Sequence, residues 1–148
     1  MSRKSAREVA VHMIYEYGYQ ASGIEEILAY RFSPEFLETV REDFSIYTDI
    51  DDTQRAYIRR VVQGVEANLA QIDESIKKHS IGWNLKRISR IAMAIMRVAV
   101  FEANYLEEIP PSVAINEAVE IAKKYASSET VAFINGILGS VVREEPKG

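Results

Sequence analysis

Leu85-Lys-Arg-Ile-Ser-Arg-Ile-Ala-Met-Ala-Ile-Met-Arg-Val-Ala-Val-Phe-Glu-Ala-Asn-Tyr-Leu106 is the stretch whose reading decides the fold. It is long enough for six turns of helix and carries no glycine or proline. Its middle, Ile91 to Met96, is apolar on nearly every side of a helical wheel, which marks a helix buried among other helices rather than one lying on a surface. Pro110-Pro111 stops it and starts the next. The segments around it carry the complementary one-sided pattern that such a centre requires.

Working outward, three-four spacing recurs along the chain. Ala6, Val9, Ala10, Met13, Ile14 and Tyr17 form one stripe. Ser22 is read as the cap of a short second helix through Ile24, Ile27 and Leu28, and Ser33-Pro34 opens a third. Phe44 to Asp51 reads as a loop. Asp52-Thr53 opens a long helix through Tyr57, Val61, Val65, Leu69, Ile72 and Ile76, ending near His79 to Gly82. Beyond Pro111, Ile115, Ala118, Ala122 and Tyr125 face inward; beyond Ser127-Ser128, Val131, Ile134, Leu138 and Val142 do. No alternating pattern suggests a strand. The expectation is an all-α, single-domain bundle over residues 1–148, of about seven helices packed around the Leu85–Leu106 segment.

Composition narrows the function. The chain has 148 residues, 47% of them hydrophobic, and no cysteine, so disulfides, thiolate metal sites and cysteine nucleophiles are excluded. The most apolar run, Ile91 to Phe101, is interrupted by Arg97 and is too short to span a membrane. The N-terminus lacks the apolar centre of a secretory signal. A cytoplasmic protein with no membrane partner is expected. The glycines form no phosphate loop, His12 and His79 stand on different helices without a nucleophile motif, and adjacent acids point to different helix faces. No catalytic constellation emerges, and no cofactor or metal is called for.

The net charge of −4 speaks against a generic nucleic-acid binder, but the charges are segregated. Between Glu25 and Asp52 acids dominate, facing only Arg31 and Arg41, whereas Ser75 to Phe101 holds Lys77, Lys78, Lys86, Arg87, Arg90 and Arg97 without a single acid. Arg3, Lys4 and Arg7 add a basic N-terminus. Such polarity can hold a polyanion locally; two solvated faces explain it equally.

Three rows stand out on the wheels. With Ala6, Ala10 and Met13 inward, Lys4, Arg7, Val11 and Tyr15 project outward, cations followed by a ring, as single-stranded RNA would use them. An ordinary solvated face explains the row as well. On the last helix Phe133 points away from Ile134 and Leu138, toward a base, a partner or another helix. On the central helix Lys86, Arg90, Met93 and Arg97 align. Arg97, in buried surroundings, calls for a carboxylate such as Glu117 or Glu102, while Lys86 and Arg90 are freer to meet an anionic ligand or a protein partner.

These residues resemble a family. Ala6-Arg7-Glu8 with Ala10 and Ile14-Tyr15 is similar to the opening of the NusB antitermination factors. Trp83, Arg87-Ile88, then Ile95-Met96-Arg97-Val98-Ala99 and Glu102 resemble their central helix. More specific is Pro110 followed by Val113-Ala-Ile-Asn-Glu-Ala-Val-Glu-Ile-Ala-Lys123, and then Phe133-Ile-Asn-Gly-Ile-Leu138 at the expected distance. The resemblance covers nearly the whole chain.

It implies an all-helical factor binding the boxA segment of nascent RNA as a heterodimer with NusE, a ribosomal protein. With other Nus factors it would modify RNA polymerase to read through terminators, notably in ribosomal RNA operons. It also implies an RNA site at Arg3, Lys4, Arg7, His12 and Tyr15, together with Glu129 and Phe133. A homodimer stays open. So does a protein-interaction module of the same fold without RNA binding. A NusB-like domain also precedes some ribosomal RNA cytosine methyltransferases, but a chain ending at Gly148 leaves no room for a methyl-donor domain, so no enzyme activity is expected.

Overall fold

The computed structural model describes residues 2–19, 22–40, 47, 51–82 and 88–145. Among these, every regular element is helical: α1 (Arg3–Tyr19), α2 (Ile24–Arg31), α3 (Pro34–Val40), α4 (Asp52–Ala67), α5 (Leu69–Lys78), α6 (Arg90–Tyr105), α7 (Pro111–Tyr125) and α8 (Ser128–Glu144). The all-α bundle expected from periodicity is the fold observed. Leu85 to Arg87, where the sequence starts the central helix, and most of the Phe44–Asp51 loop lie outside the described residues. No described helix is long and apolar enough to cross a membrane.

α6 is the centre. It packs against α1, α4, α5, α7 and α8, which is why its middle is apolar all round: Ala94, Ile95, Met96, Val98, Ala99 and Val100 are all buried. α4 approaches it closely at Gly64, where any Cβ would run into the ring of Phe101.

The helix ends follow local chemistry. Asp51 accepts from Gln54 N at 2.8 Å, Ser89 from Ala92 N at 3.2 Å, and Ser127 from Thr130 N at 3.2 Å. The Ser33 hydroxyl does the same for Phe36 N ahead of Pro34, and Pro111 takes the first position of α7. Ser22 does not cap α2. Gly23 stands at that position, and the Ile24 amide is met instead by Glu66 Oε2 from α4, at 3.3 Å.

The long helix expected from Asp52 to His79 is divided at Asn68. This residue leaves helical geometry (φ −117°, ψ 20°), and its side-chain amide donates back to Gly64 O at 2.8 Å. The Asn68 backbone N–H reaches the same Gly64 O at 3.0 Å, so its short polar side chain adds a second donor to that carbonyl where the helix turns. The apolar stripe keeps its phase across the break, from Val65 to Ile72 and Ile76, all buried. The partner of Arg97 also differs from expectation. It is Asp73 of α5, bonded to Nε at 2.8 Å and to Nη2 at 3.0 Å. Glu102, five residues along α6, stands about 140° round the helix and faces α1 instead.

Candidate nucleic-acid interface

α1 lies against α2, α4 and α6, so it has more than one covered side, and this decides which candidates reach solvent. The row Lys4, Arg7, Val11, Tyr15 is not uniformly outward. Its middle lies in a tight seam against Ile95, Val98 and Glu102 of α6 and the small residues Ala114 and Ala118 of α7. Val11 is 1% exposed and Arg7 5%. Only the ends emerge: Lys4 is exposed, and Tyr15 is 38% exposed. Eleven residues separate them, about 16 Å along one face.

Arg7 is therefore a correction to the outward reading. Its Nε donates to Glu102 Oε1 at 2.7 Å and its Nη2 to Oε2 at 3.0 Å, while the Tyr57 hydroxyl donates to the same Oε2 at 2.7 Å. Burial works against the Arg7 charge, but the hydrogen bond and charge of Glu102 outweigh it and hold the guanidinium protonated. Burial, then the Glu102 charge, pushes the Tyr57 phenol far up. Arg7 joins α1, α4 and α6 from a buried position. Arg3 is exposed, yet its Nε donates to Gln54 Oε1 at 2.9 Å and its guanidinium lies 4.0 Å from the centre of the Tyr57 ring.

Phe133 is the second correction. It is 3% exposed. Phe133, Ile137 and Val141 follow one another at four-residue intervals and are all buried, so α8 has a second apolar row beside Ile134 and Leu138. A wheel centred on the first row alone turned Phe133 outward. Val131 and Val142, expected inward, are only half-buried. Glu129 is exposed in the first turn of α8. Arg90 is exposed at the start of α6, and Lys86 lies outside the described residues.

His12 and Tyr15 come together with groups that sequence reading did not select. Both line an open cavity of about 720 Å³ bounded by α1, α2, α3, the start of α6 and the end of α7. Along one wall runs a directed chain of hydrogen bonds. Arg31 Nη1 donates to the Tyr47 hydroxyl at 2.8 Å, and that hydroxyl lies 3.0 Å from His12 Nδ1. His12 Nε2 lies 2.7 Å from the Tyr125 hydroxyl, which donates to Glu8 Oε2. Lys124 Nζ closes the far end on Glu8 at 2.7 Å and 2.9 Å.

Donor accounting sets one direction: Tyr47 donates to Nδ1, and neutral His12 donates from Nε2. Burial draws the His12 pKa down to about 4. Burial also pushes the Tyr47 phenol up to about 12 and Tyr125 well above its ordinary value. Glu8 is also disfavoured as an anion by burial, but the bonds from Lys124 and Tyr125 prevail and keep its carboxyl below the usual range.

The family model described as the NusB family matches residues 4–143, from the open end of α1 to the last turn of α8. The chain belongs to the NusB family. The transcription antitermination protein NusB of Acetivibrio thermocellus is 41% identical, over 97% of this chain and 90% of that protein. The protein of the same name from Clostridium botulinum (strain Kyoto / Type A2) is 35% identical, over 96% of this chain and 100% of that one.

Among solved structures, T. maritima NusB superposes with a TM-score of 0.81 at 27% identity, covering 98% of this chain and 93% of that one. A structure of the antitermination factors NusB and NusE in complex with dsRNA gives a TM-score of 0.76 over 96% of each chain; at 23% identity it speaks to the fold.

The NusB motifs quoted from the sequence thus include structural members. Arg7 and Glu102 are one buried ion pair, and Phe133 is core. Tyr125, Arg31, Tyr47 and Glu8 were missed. Tyr125, Arg31 and Tyr47 lie on other segments, and only the bundle brings their polar ends to His12; Glu8 stands one turn before His12 on α1. The local signs were His12 itself, a polar residue flanked by Val11, Met13 and Ile14, and Glu8 four residues before it.

Proposed function

We propose that this NusB-family chain is an RNA-binding antitermination adaptor. It binds boxA-like single-stranded RNA together with ribosomal protein NusE and, with other Nus factors, promotes read-through by RNA polymerase, notably in ribosomal RNA operons. The observation that carries this reading is the family match over residues 4–143, which takes in α1 and the start of α8 together. The NusB and NusE complex with dsRNA, of the same fold, supports the choice of partners.

The geometry supports a division of labour along α1. Lys4 and Arg3 offer charge for phosphates at the open end. Tyr15, one helical face further on, offers a ring for a base. With Arg7 buried in its ion pair, the row loses a cation, and weak binding by the chain alone is expected. NusE then supplies the remaining contacts. Titration of a boxA-like oligonucleotide with and without NusE tests this. Weak binding alone that tightens at least tenfold with NusE supports the adaptor. NusE binding without any RNA binding would instead favour a protein-interaction module.

A further inference from the structure

We propose that Gln54 of α4 is a positioning residue that sets the Arg3 guanidinium for an RNA phosphate. The proposal rests on the RNA reading above and adds to it a residue from another helix.

Arg3 is the first residue of α1 and is exposed. A long cation at a helix end ordinarily samples many rotamers, and fixing it on binding costs entropy. Here the ordering is already done. The Arg3 Nε donates to Gln54 Oε1 at 2.9 Å, and the guanidinium lies 4.0 Å from the centre of the Tyr57 ring. That ring is itself fixed. It is 5% exposed, and its hydroxyl donates to Glu102, which is fully enclosed and paired with Arg7. A platform therefore runs from the core of the bundle to the open end of α1.

Gln54 stands three residues after Asp51, the cap of α4, whose carboxylate accepts from Gln54 N at 2.8 Å. In a reciprocal capping box the glutamine side chain would reach back to the cap's own amide. Its Oε1 instead meets Arg3, 51 residues earlier in the chain.

Charge separates Arg3 from other fixed arginines of the bundle. Arg7, Arg31 and Arg97 are each gripped by a carboxylate, of Glu102, Glu16 and Asp73 in turn. Such a pair neutralises the cation within the protein. The Gln54 amide is neutral and takes only the Nε–H. The Nη1 and Nη2 groups keep the charge and the geometry for a two-point contact with phosphate oxygens.

Two substitutions test this, each read by the ¹⁵N resonance of the Arg3 Nε–H and by titration of a boxA-like oligonucleotide with NusE. In wild type the hydrogen bond should slow exchange with water and keep that resonance visible near neutral pH. Gln54→Ala should lose the resonance and weaken RNA binding by about threefold or more. Gln54→Glu is the sharper variant. A glutamate at this position favours the helix start, so the melting temperature should hold or rise, with the Arg3 Nε–H still visible. Its carboxylate takes up the Arg3 charge, so RNA binding should weaken all the same. The log-log salt slope should become shallower by about 0.7, one single-strand phosphate contact. A residue that only supports the fold would not weaken binding while stability is kept.

If both variants bind the oligonucleotide as wild type does, or the Arg3 Nε–H of wild type exchanges as freely as in Gln54→Ala, the proposal is overturned and the RNA reading stands. If wild type itself fails to bind the oligonucleotide with NusE, the RNA reading fails and takes the proposal with it.

Discussion

Arg7 of α1 and Glu102 of α6 form a buried two-point ion pair, with Glu102 fully enclosed and further held by the Tyr57 hydroxyl. Removing one member leaves an uncompensated charge inside the bundle. Arg7→Ala should cost about 3–5 kcal/mol of folding stability, read by urea unfolding. RNA affinity per folded molecule should be unchanged. Loss of RNA affinity without loss of stability would return Arg7 to the ligand surface.

Phe133→Ala should behave the same way for an apolar reason. Its ring is buried beside Ile137 and Val141, so the cavity left behind should cost about 3–5 kcal/mol. A variant that melts like wild type but binds RNA poorly would contradict this placement.

Gly64→Ala tests the approach of α4 to α6. Alanine favours helix by about 1 kcal/mol in an exposed site, but here its methyl collides with the buried Phe101 ring, which is stacked on Tyr105 with centroids 5.4 Å apart. Net destabilisation of about 1–3 kcal/mol is expected. Phe101→Leu in the same chain should relieve part of it, and a double-mutant cycle measures how much. A stabilised Gly64→Ala variant would show that the ring yields at no cost.

His12 gives the fold a specific pH dependence. Its pKa falls from 6.5 to about 4 on burial, so between these values the unfolded chain binds the proton and the folded chain does not. This contribution is fully present above pH 6.5 and is lost as pH falls toward 4, at most about 3 kcal/mol. The groups around the ring are Glu8, Arg31, Tyr47, Lys124 and Tyr125. Glu8, whose pKa is lowered, loses its own contribution only at more acid pH, below the ordinary carboxylate range. Urea unfolding of wild type and His12→Gln at intervals from pH 7 to pH 4.5 should show a shallower loss in the variant. Parallel curves would mean that His12 does not titrate differently on folding.

The reach of the sequence is clear at particular residues. Ile91 to Met96 revealed the central helix because a helix apolar around its whole circumference must be enclosed by its neighbours. Asp52, Ser127 and Pro111 marked helix starts, and the structure adds Asp51 as the cap ahead of Asp52. Arg7 and Phe133 misled for a single reason. A wheel drawn with one buried stripe turns every other residue outward, whereas α1 and α8 each meet several neighbours. Buried Val11, in the same row as Arg7, was the sign that this row was covered. Asn68 divides a helix whose apolar phase continues unbroken, so periodicity could not reveal the break. The chain from Arg31 to Glu8 pairs two residues one turn apart on α1, Glu8 and His12, with Arg31, Tyr47 and Tyr125 from distant segments, and no local pattern encodes the meeting with those three.

The central claim is that the open end of α1 holds RNA phosphates in the presence of NusE. The salt dependence of boxA-like RNA binding, compared between wild type and Lys4→Ala with NusE present, tests it most directly. Lys4 is exposed, so the substitution should leave the melting curve unchanged. The account predicts weaker binding and a log-log salt slope shallower by about 0.7, the loss of one single-strand phosphate contact. Identical affinity and slope for the two proteins would contradict it.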